Sequence, residues 1–369
     1  MYTEEQLYSI ALRECNFIGD INFLKLVRRF GTAENVWKFS KKELSKTGGM
    51  GLKTVSDIGN SAHLKFAEKE IAFCEKNSVK INLRHQKELP FLLSECDDAP
   101  AILYQKGNFD VNLKTVSMVG TRNITSYGKK FIEDFFEETK SHSYISVSGL
   151  ALGVDKEVHE QSLKHQIQTI GVLAHGFHTF YPAKNRKLSE KIIEEGGGLL
   201  TEFNSSRKPD RENFIQRNRV VAGMSPATIV VETAFGGGSI STATFANTYN
   251  RDVFALPGRI SDRYSQGCNH LIYQNKATAI STLKDLLDLL GFNDSKDIIE
   301  ELFPQSKITI QLSESQELIY LRIKQNPHVT LDDLAEKTEM PSHKLLPVIL
   351  ELELLGKVKS FSGRQFLAI

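Results

Sequence analysis

The sequence predicts an α/β fold: a parallel sheet flanked by helices in the middle of the chain, a helical domain before it and a small helical domain with a hairpin after it. Three observations carry this. Between Val116 and Leu256, six short apolar runs each end at a glycine-rich or polar turn. Segments of helical period follow most of those turns, and strands alternating with helices form βαβ units and a parallel sheet. Both ends of the chain instead show apolar residues at helical spacing. The predicted domains are residues 1–85, 86–292 and 312–369, with 293–311 as a linker.

Composition bounds the answer. The chain has 369 residues, enough for two or three domains. At 40% hydrophobic and 25% charged residues it has an ordinary soluble composition. No apolar run approaches the ~18 residues of a membrane span, and the N-terminus lacks the order of a signal peptide. The four cysteines have no C-x-x-C spacing, which argues against zinc and a disulfide framework and fits a reducing cytoplasm. The net charge of +1 says nothing of a partner; a nucleic-acid binder must gather its basic residues in one place.

In residues 1–85, Leu7, Ile10, Ala11 and Leu12 recur at helical spacing, as do Phe23, Leu24, Leu26 and Val27. Gly49, Gly51, Thr54 and Ile58 fit a helix-hairpin-helix. Such a hairpin offers backbone N–H groups to a phosphate; it also joins helices in pure interaction domains, and both readings stand. Lys80 to Pro100 is expected to be a strand-poor connector, and Ala101 to Tyr104 an extra edge strand of the sheet.

The six runs come next. Val116–Val119 end at Gly120-Thr121-Arg122, Tyr144–Val147 at Ser148-Gly149, and Thr169–Leu173 at His175-Gly176. Leu199 and Leu200 lead to Thr201-Glu202, Thr228–Val231 to Glu232, and Val253–Leu256 to Pro257-Gly258. In open parallel sheets ligands bind outside the carboxyl ends of the strands. The first turn matches neither G-x-G-x-x-G nor the P-loop pattern. Gly120 lets it approach a ligand, Ser126 is placed to cap a helix over Tyr127 to Lys140, and Arg122 brings a fork of donors suited to phosphate. In SGLALGVDKEVH, Gly149 and Gly153 keep the turn bare and Asp155 is placed to cap the next helix, the form of an anion site. The plainer reading of each motif is a tight strand-to-helix turn.

Asn204 to Arg219 carries Arg207, Lys208, Arg211, Arg217 and Arg219 against Asp210 and Glu212, with Phe214 among them. Basic residues interleaved with an aromatic suit a single strand, phosphates on the arginines and a base on the ring. In the competing reading Phe214 is core and the arginines face water. No G-x-S-x-G, H-E-x-x-H or paired-carboxylate pattern is present. His159 lies four residues after Asp155, where a structural bond is the expectation. Glu232 precedes a glycine run, whereas one superfamily of nucleotide-processing enzymes places a catalytic glutamate after P-G-G-x-G-T.

From Leu312 the pattern is three helices and a hairpin around Ser362-Gly363, the order of a winged helix. Its third helix, Ser342 to Leu355, offers His343 and Lys344, then mostly apolar residues with Glu351 and Glu353. Acidic residues repel phosphate, so packing or protein contact is favoured over DNA.

The ordered set VGTR, SGLALGVDKEVH, TIGVLAHGFHTFYPAKN, TEF, FIQRNRVVAG, VVETAFGGGSISTA, FALPG and GCNHLI resembles the DprA/Smf family, the DNA-processing proteins A, over about Ala101 to Ile280. It departs from the family pattern at Ile215, at Gly237 and at Lys276. The resemblance implies an extended Rossmann-like fold and a binder rather than an enzyme, without cofactor or metal. It implies single-stranded DNA as ligand, loading of RecA recombinase against single-strand-binding protein during natural transformation, and a homodimer. By motif match, Arg122, Phe214, Arg217 and Arg219 would line the DNA pocket. Gly120, Gly149 and Gly153 would give backbone access, Lys184 a further phosphate contact, and Asn218 a bond either to DNA or within the fold. The alternative is a phosphoribohydrolase-like enzyme on a related sheet.

Overall fold

The computed structural model describes residues 2–292, 312–326, 329–338, 340–361 and 365–368. The predicted linker, 293–311, and the hairpin turn at Ser362-Gly363 lie outside them. The chain divides into two compact units, Met1–Asp294 and Ser295–Ile369.

The first unit opens with six helices: α1 Glu4–Glu14, α2 Asp20–Phe30, α3 Ala33–Lys38, α4 Lys41–Leu44, α5 Leu52–Val55 and α6 Ser61–Lys76. Short polar side chains start most of them. Thr3 forms a capping box with Gln6, and Thr32, Ser40 and Asn60 each accept a first-turn N–H. Such caps satisfy donors a helix start leaves free, each stabilising by about 1 kcal/mol. The glycine hairpin joins α4 to the single turn of α5, with Gly49 at φ +81°.

Next come β1 Lys80–Leu83, α7 Phe91–Ser94, β2 Ile102–Gly107, β3 Lys114–Val119, α8 Ser126–Thr139, β4 Tyr144–Ser148, α9 Val154–Lys164 and β5 Gln168–Val172. α10 Arg186–Glu194, β6 Gly198–Thr201, α11 Arg211–Gly223, β7 Ala227–Val230, α12 Gly238–Thr248, β8 Asp252–Ala255, α13 Gln266–Tyr273, β9 Thr278–Ala279 and α14 Leu283–Leu289 complete the unit. The sheet order is β1-β2-β6-β5-β4-β3-β7-β8-β9. From β6 to β9 all pairings are parallel; β1 with β2, and β2 with β6, are antiparallel.

Two expectations need correction here. Lys80–Pro100 is not free of strand, because β1 lies within it, and β2 is not the edge, because β1 covers its outer side. The reason is tertiary. Ile81 and Leu83, with Ile102 and Tyr104, form one core with Leu12, Phe23 and Leu26 of the helices, so β1 gains an apolar face from residues distant in sequence. The sheet therefore begins before residue 85.

Elsewhere the sheet is covered on both faces. Along β3, Val116 and Met118 join a core with Phe135, Phe136 and Val158, while Val119 joins the opposite core with Val147, Val172 and Val221. Burial on both sides explains the nearly continuous apolar runs of these strands. The chain moves from β3 through β4 and β5 to β6 on one side, then returns to place β7 on the other side of β3. A crevice opens at such a reversal, at the strands' carboxyl ends.

The second unit contains α15 Glu314–Gln325, β10 Val329–Thr330, α16 Leu331–Thr338, α17 Ser342–Leu354, β11 Val358–Phe361 and β12 Gln365–Ala368. Its three strands are ordered β10-β12-β11, and Ile319, Ile323, Leu334, Leu345, Ile349 and Phe366 share its core. This is the winged-helix arrangement the helix order predicted.

Candidate nucleic-acid interface

A chamber of about 320 Å³ lies at the carboxyl ends of β3, β4 and β7, lined among others by Gly120, Arg122, Gly149, Asp155, Phe214, Arg217, Asn218 and Ser239. It continues into an open groove of about 720 Å³ that shares Arg122, Phe214, Asn218, Gly237 and Gly238 and adds Tyr181 and Arg211. The reversal of strand order thus sits under Gly120, Arg122, Gly149, Phe214, Arg217 and Asn218 of the residues the sequence singled out.

Each turn is held in a definite way. Beyond β3, Thr121 N–H donates to the Glu232 carbonyl at 2.6 Å and Val154 N–H to the Thr121 carbonyl at 3.0 Å. Gly120 is there for packing: a Cβ would meet Val154 Cγ2 at 2.5 Å and the Glu232 carbonyl at 2.8 Å. Gly153 has φ +78°, and a Cβ would meet the Arg122 carbonyl carbon at 2.5 Å. The two glycines press the β3 and β4 turns together and leave Arg122 exposed at the mouth.

Two predicted caps are displaced. Thr125, not Ser126, caps α8. Gly153 is the cap position of α9, and Asp155 sits in its first turn, accepting from Ala151 N–H at 3.2 Å. In both cases the chain turns into the helix one or two residues earlier than local preference suggests, because the turns pack on each other.

Arg217 is 4% exposed. Its Nη1 donates to the Val172 carbonyl at 2.8 Å. Burial lowers its pKa, and the Asp155 carboxylate opposes this. Burial conversely raises the pKa of Asp155, with Arg217 pulling it back. Each charge offsets part of the other's desolvation. Phe214 is half-buried at the junction of chamber and groove. Arg122 and Arg217 stand over its ring with Cζ at 5.1 and 5.9 Å from the centroid, and Tyr181 meets it edge-on at 5.9 Å. The structure sets aside the reading of Phe214 as core with its arginines in water: the ring is half-buried with cations beside it. Asn218 Nδ2 bonds Ser241 Oγ at 2.8 Å and the Gly238 carbonyl at 3.2 Å, which ties α11 to the start of α12.

Arg219 is not brought to this site. It is 6% exposed and pairs with Glu202, with Asp20 at 3.3 Å and with the Asp98 carbonyl. Two residues along a helix turn the side chain by about 200°, so Arg217 and Arg219 point to nearly opposite sides, and Arg219 joins the sheet to the N-terminal helices. Lys184 is exposed on a short 3₁₀ turn, Ala183–Asn185, and lines neither chamber nor groove.

Glu232 has a structural task. It is 2% exposed, and its carboxylate accepts from the N–H and hydroxyl of Thr125, fixing the start of α8. His159 is fully buried with Nδ1 2.7 Å from Thr169 Oγ1; burial, aided by Arg217, lowers its pKa to about 3. It is a neutral core residue. Cys15, Asp57 and His63 bring ligand atoms within 4.8 Å of one another. Burial pushes the Cys15 thiol up to about 12, and Asp57 is engaged by Asn16 N–H at 3.0 Å and His63 at 2.9 Å.

Sequence reasoning passed over Ser239 and Tyr181. The signal for Ser239 was present: Gly236-Gly237-Gly238 before a helix is a bare turn like the two already noted. Among the described residues no helix is long and apolar enough to cross a membrane.

The sequence profile described as DNA recombination-mediator protein A matches residues 80–291, and that of the DprA winged helix domain matches 306–364. The chain is 33% identical to Protein Smf of Synechocystis over 300 residues, 79% of this chain and 74% of that one. It is 38% identical to DNA processing protein DprA of Bacillus subtilis over 216 residues, 58% and 71% of the two chains. The X-ray structure of DprA from Streptococcus pneumoniae is similar with TM-score 0.62 at 27% identity, covering 78% of this chain and 98% of that one. A structure of DNA processing protein A from Helicobacter pylori, described for its single-stranded DNA binding mode, gives TM-score 0.51 at 28% identity over 58% and 96%. With profile, relatives and sheet in agreement, the chain belongs to the DNA recombination-mediator protein A family, the DprA/Smf proteins.

Proposed function

We propose that this protein binds single-stranded DNA along the groove between Arg211 and Gly238, and that it is a binder rather than an enzyme. The observation that carries the reading is the Phe214 ring, half-buried, with the exposed Arg122 above it at the meeting of groove and chamber. Aromatic platforms beside cations are how sequence-tolerant single-strand grooves hold bases and phosphates. The binding mode described for the Helicobacter relative supports it. By family resemblance the bound strand is handed to RecA during natural transformation, past single-strand-binding protein, by a cytoplasmic homodimer. The phosphoribohydrolase alternative has little support, because Glu232 is committed to Thr125.

Fluorescence anisotropy with oligo(dT) across a salt series tests the binding. Arg122→Ala should weaken binding and reduce the salt slope by about 0.7, one phosphate contact on a single strand, with stability changed by no more than about 0.5 kcal/mol. Phe214→Ala should weaken binding by about 1–3 kcal/mol. Unchanged affinity and slope in both variants would remove the groove as the DNA site. RecA delivery is tested by filament assembly on a strand coated with single-strand-binding protein; no acceleration by this protein would remove that step.

A further inference from the structure

We infer that a single strand leaving the groove runs on to the N-terminal helices, where Phe17 stacks a further base and Lys25 and Lys53 hold phosphates. The path from the groove rests on the reading given above; the chemistry of this second face stands on the face itself.

Phe17 is 61% exposed. Its φ is +65°, a left-handed backbone that a bulky residue rarely adopts. The conformation is fixed from both sides. Asn16 donates to the Asp57 carboxylate from its backbone N–H at 3.0 Å and from Nδ2 at 2.8 Å. Asn22 Nδ2 donates to the Phe17 carbonyl at 2.9 Å. A large apolar ring held out in water, at a cost to the backbone, does nothing for the core, and such strain collects at functional sites. Lys53 Nζ lies 5.6 Å from the ring centroid. An accessible ring with a cation on it is also the arrangement of Phe214 with Arg122.

The surroundings supply charge. Ile21, Lys25 and Arg28 follow one exposed stripe of α2. Lys25 reaches the glycine hairpin, where a Cβ on Gly49 would stand 3.6 Å from its Nζ. The hairpin leads directly to Lys53, so both lysines flank the Phe17 face. Neither forms an ion pair among the described residues. Residues 20–58 hold eight Lys/Arg against four Asp/Glu, in a chain whose total is only +1. Gathered cations favour a polyanion over an apolar partner. The ring favours a single strand over a duplex, whose bases are not free to stack on it.

The two faces are continuous through α11. Ile215 lines the groove and stands one turn from Arg219, which pairs with Asp20 at the start of α2. Asn16, next to Phe17, lines a cleft with Arg207 and Gln216 at the carboxyl end of β6. That is the sheet edge on which the groove opens. β6 is three strands from β3, roughly 14 Å, a distance a strand of a few nucleotides covers.

The test is fluorescence anisotropy of the full chain with oligo(dT) of about 6 and about 20 nucleotides, near the two ends of single-strand site sizes, and with a duplex of the longer length. Phe17→Ala should weaken the longer strand about tenfold, as for one lost stacking partner, and leave the short strand unchanged. Lys25→Ala and Lys53→Ala should each lower the salt slope of the longer strand by about 0.7. Phe17→Gly relieves the backbone, so it should lose the same affinity with a melting temperature unchanged or raised. Unchanged affinity for the longer strand in both Phe17 variants overturns the inference. So does an equal loss on the duplex, which would make the face a backbone contact without stacking. Equal weakening of the short strand overturns the path, and a changed oligomeric mass with unchanged DNA affinity makes the face a protein contact and overturns it too. If Arg122→Ala weakens both lengths and Phe17→Ala neither, the groove reading stands and this inference falls. If Phe17→Ala weakens the longer strand and Arg122→Ala neither, the Phe17 face stands and the groove reading falls.

Discussion

The guanidinium of Arg217 packs against the bare backbone of Gly149. A Cβ on Gly149 would fall 2.5 Å from Arg217 Cζ, and the guanidinium is held from elsewhere by the Val172 carbonyl at 2.8 Å. Gly149 therefore admits an arginine rather than giving DNA access to the backbone, and the β4 turn and α11 are made for each other.

Gly149→Ala should displace Arg217 and cost about 1–3 kcal/mol, the range for overpacking a close-packed site, with weaker oligo(dT) binding. Because both residues occupy one space, Gly149→Ala and Arg217→Ala should be non-additive in urea unfolding by at least about 0.5 kcal/mol. Additive costs would show that the two do not share that contact.

Arg219→Ala should behave as a stability variant. Removing one partner of a buried ion pair leaves the other charge unpaired, at about 3–5 kcal/mol; here Glu202 and Asp20 would be stranded. Urea midpoints measure the loss, and oligo(dT) affinity of the folded fraction should stay within about twofold, less than 0.5 kcal/mol. A folded variant with much weaker DNA binding would return Arg219 to the site.

His159 predicts a pH dependence. Its pKa is lowered from 6.5 to about 3 by burial, so below pH 6.5 the unfolded chain takes up a proton that the folded chain refuses. Its contribution to stability is present above pH 6.5 and is lost as pH falls toward 3, at up to about 1.4 kcal/mol per pH unit. Between pH 7 and pH 5 the loss should be about 2 kcal/mol. A His159→Gln protein should show that much less acid sensitivity in urea unfolding; identical slopes would mean that His159 is protonated in the folded state.

Removing the second unit should leave DNA binding nearly intact. Residues 314–369 hold seven Lys/Arg and eight Asp/Glu, and a near-neutral module releases few counterions. A chain ending at Asp294, the limit of the first compact unit, should fold and bind oligo(dT) within a few-fold of the full protein, under about 1 kcal/mol. A loss beyond tenfold in a folded truncation would place the winged helix on DNA.

The parallel strands, the winged-helix order and the gathering of Arg122, Phe214 and Arg217 were legible in the sequence. Apolar runs, glycine turns and helical spacing are local properties, and strand ends in a parallel sheet share one edge. β1 was not legible, because its apolar partners Leu12 and Phe23 lie far away in the chain. Nor were the caps at Thr125 and Gly153, which the packing of one turn on another shifted.

The division between Arg217 and Arg219 shows the limit most clearly. The sequence by itself determined that two arginines flank Asn218 on one helix beside a strand end. Only the tertiary structure decided that Arg217 enters the chamber while Arg219 closes an ion pair with Glu202 and Asp20. A guanidinium can equally hold a phosphate or neutralise a carboxylate. Which it does depends on the acceptor that the fold brings within reach, and the carboxylate of Asp20 lies almost two hundred residues away along the chain.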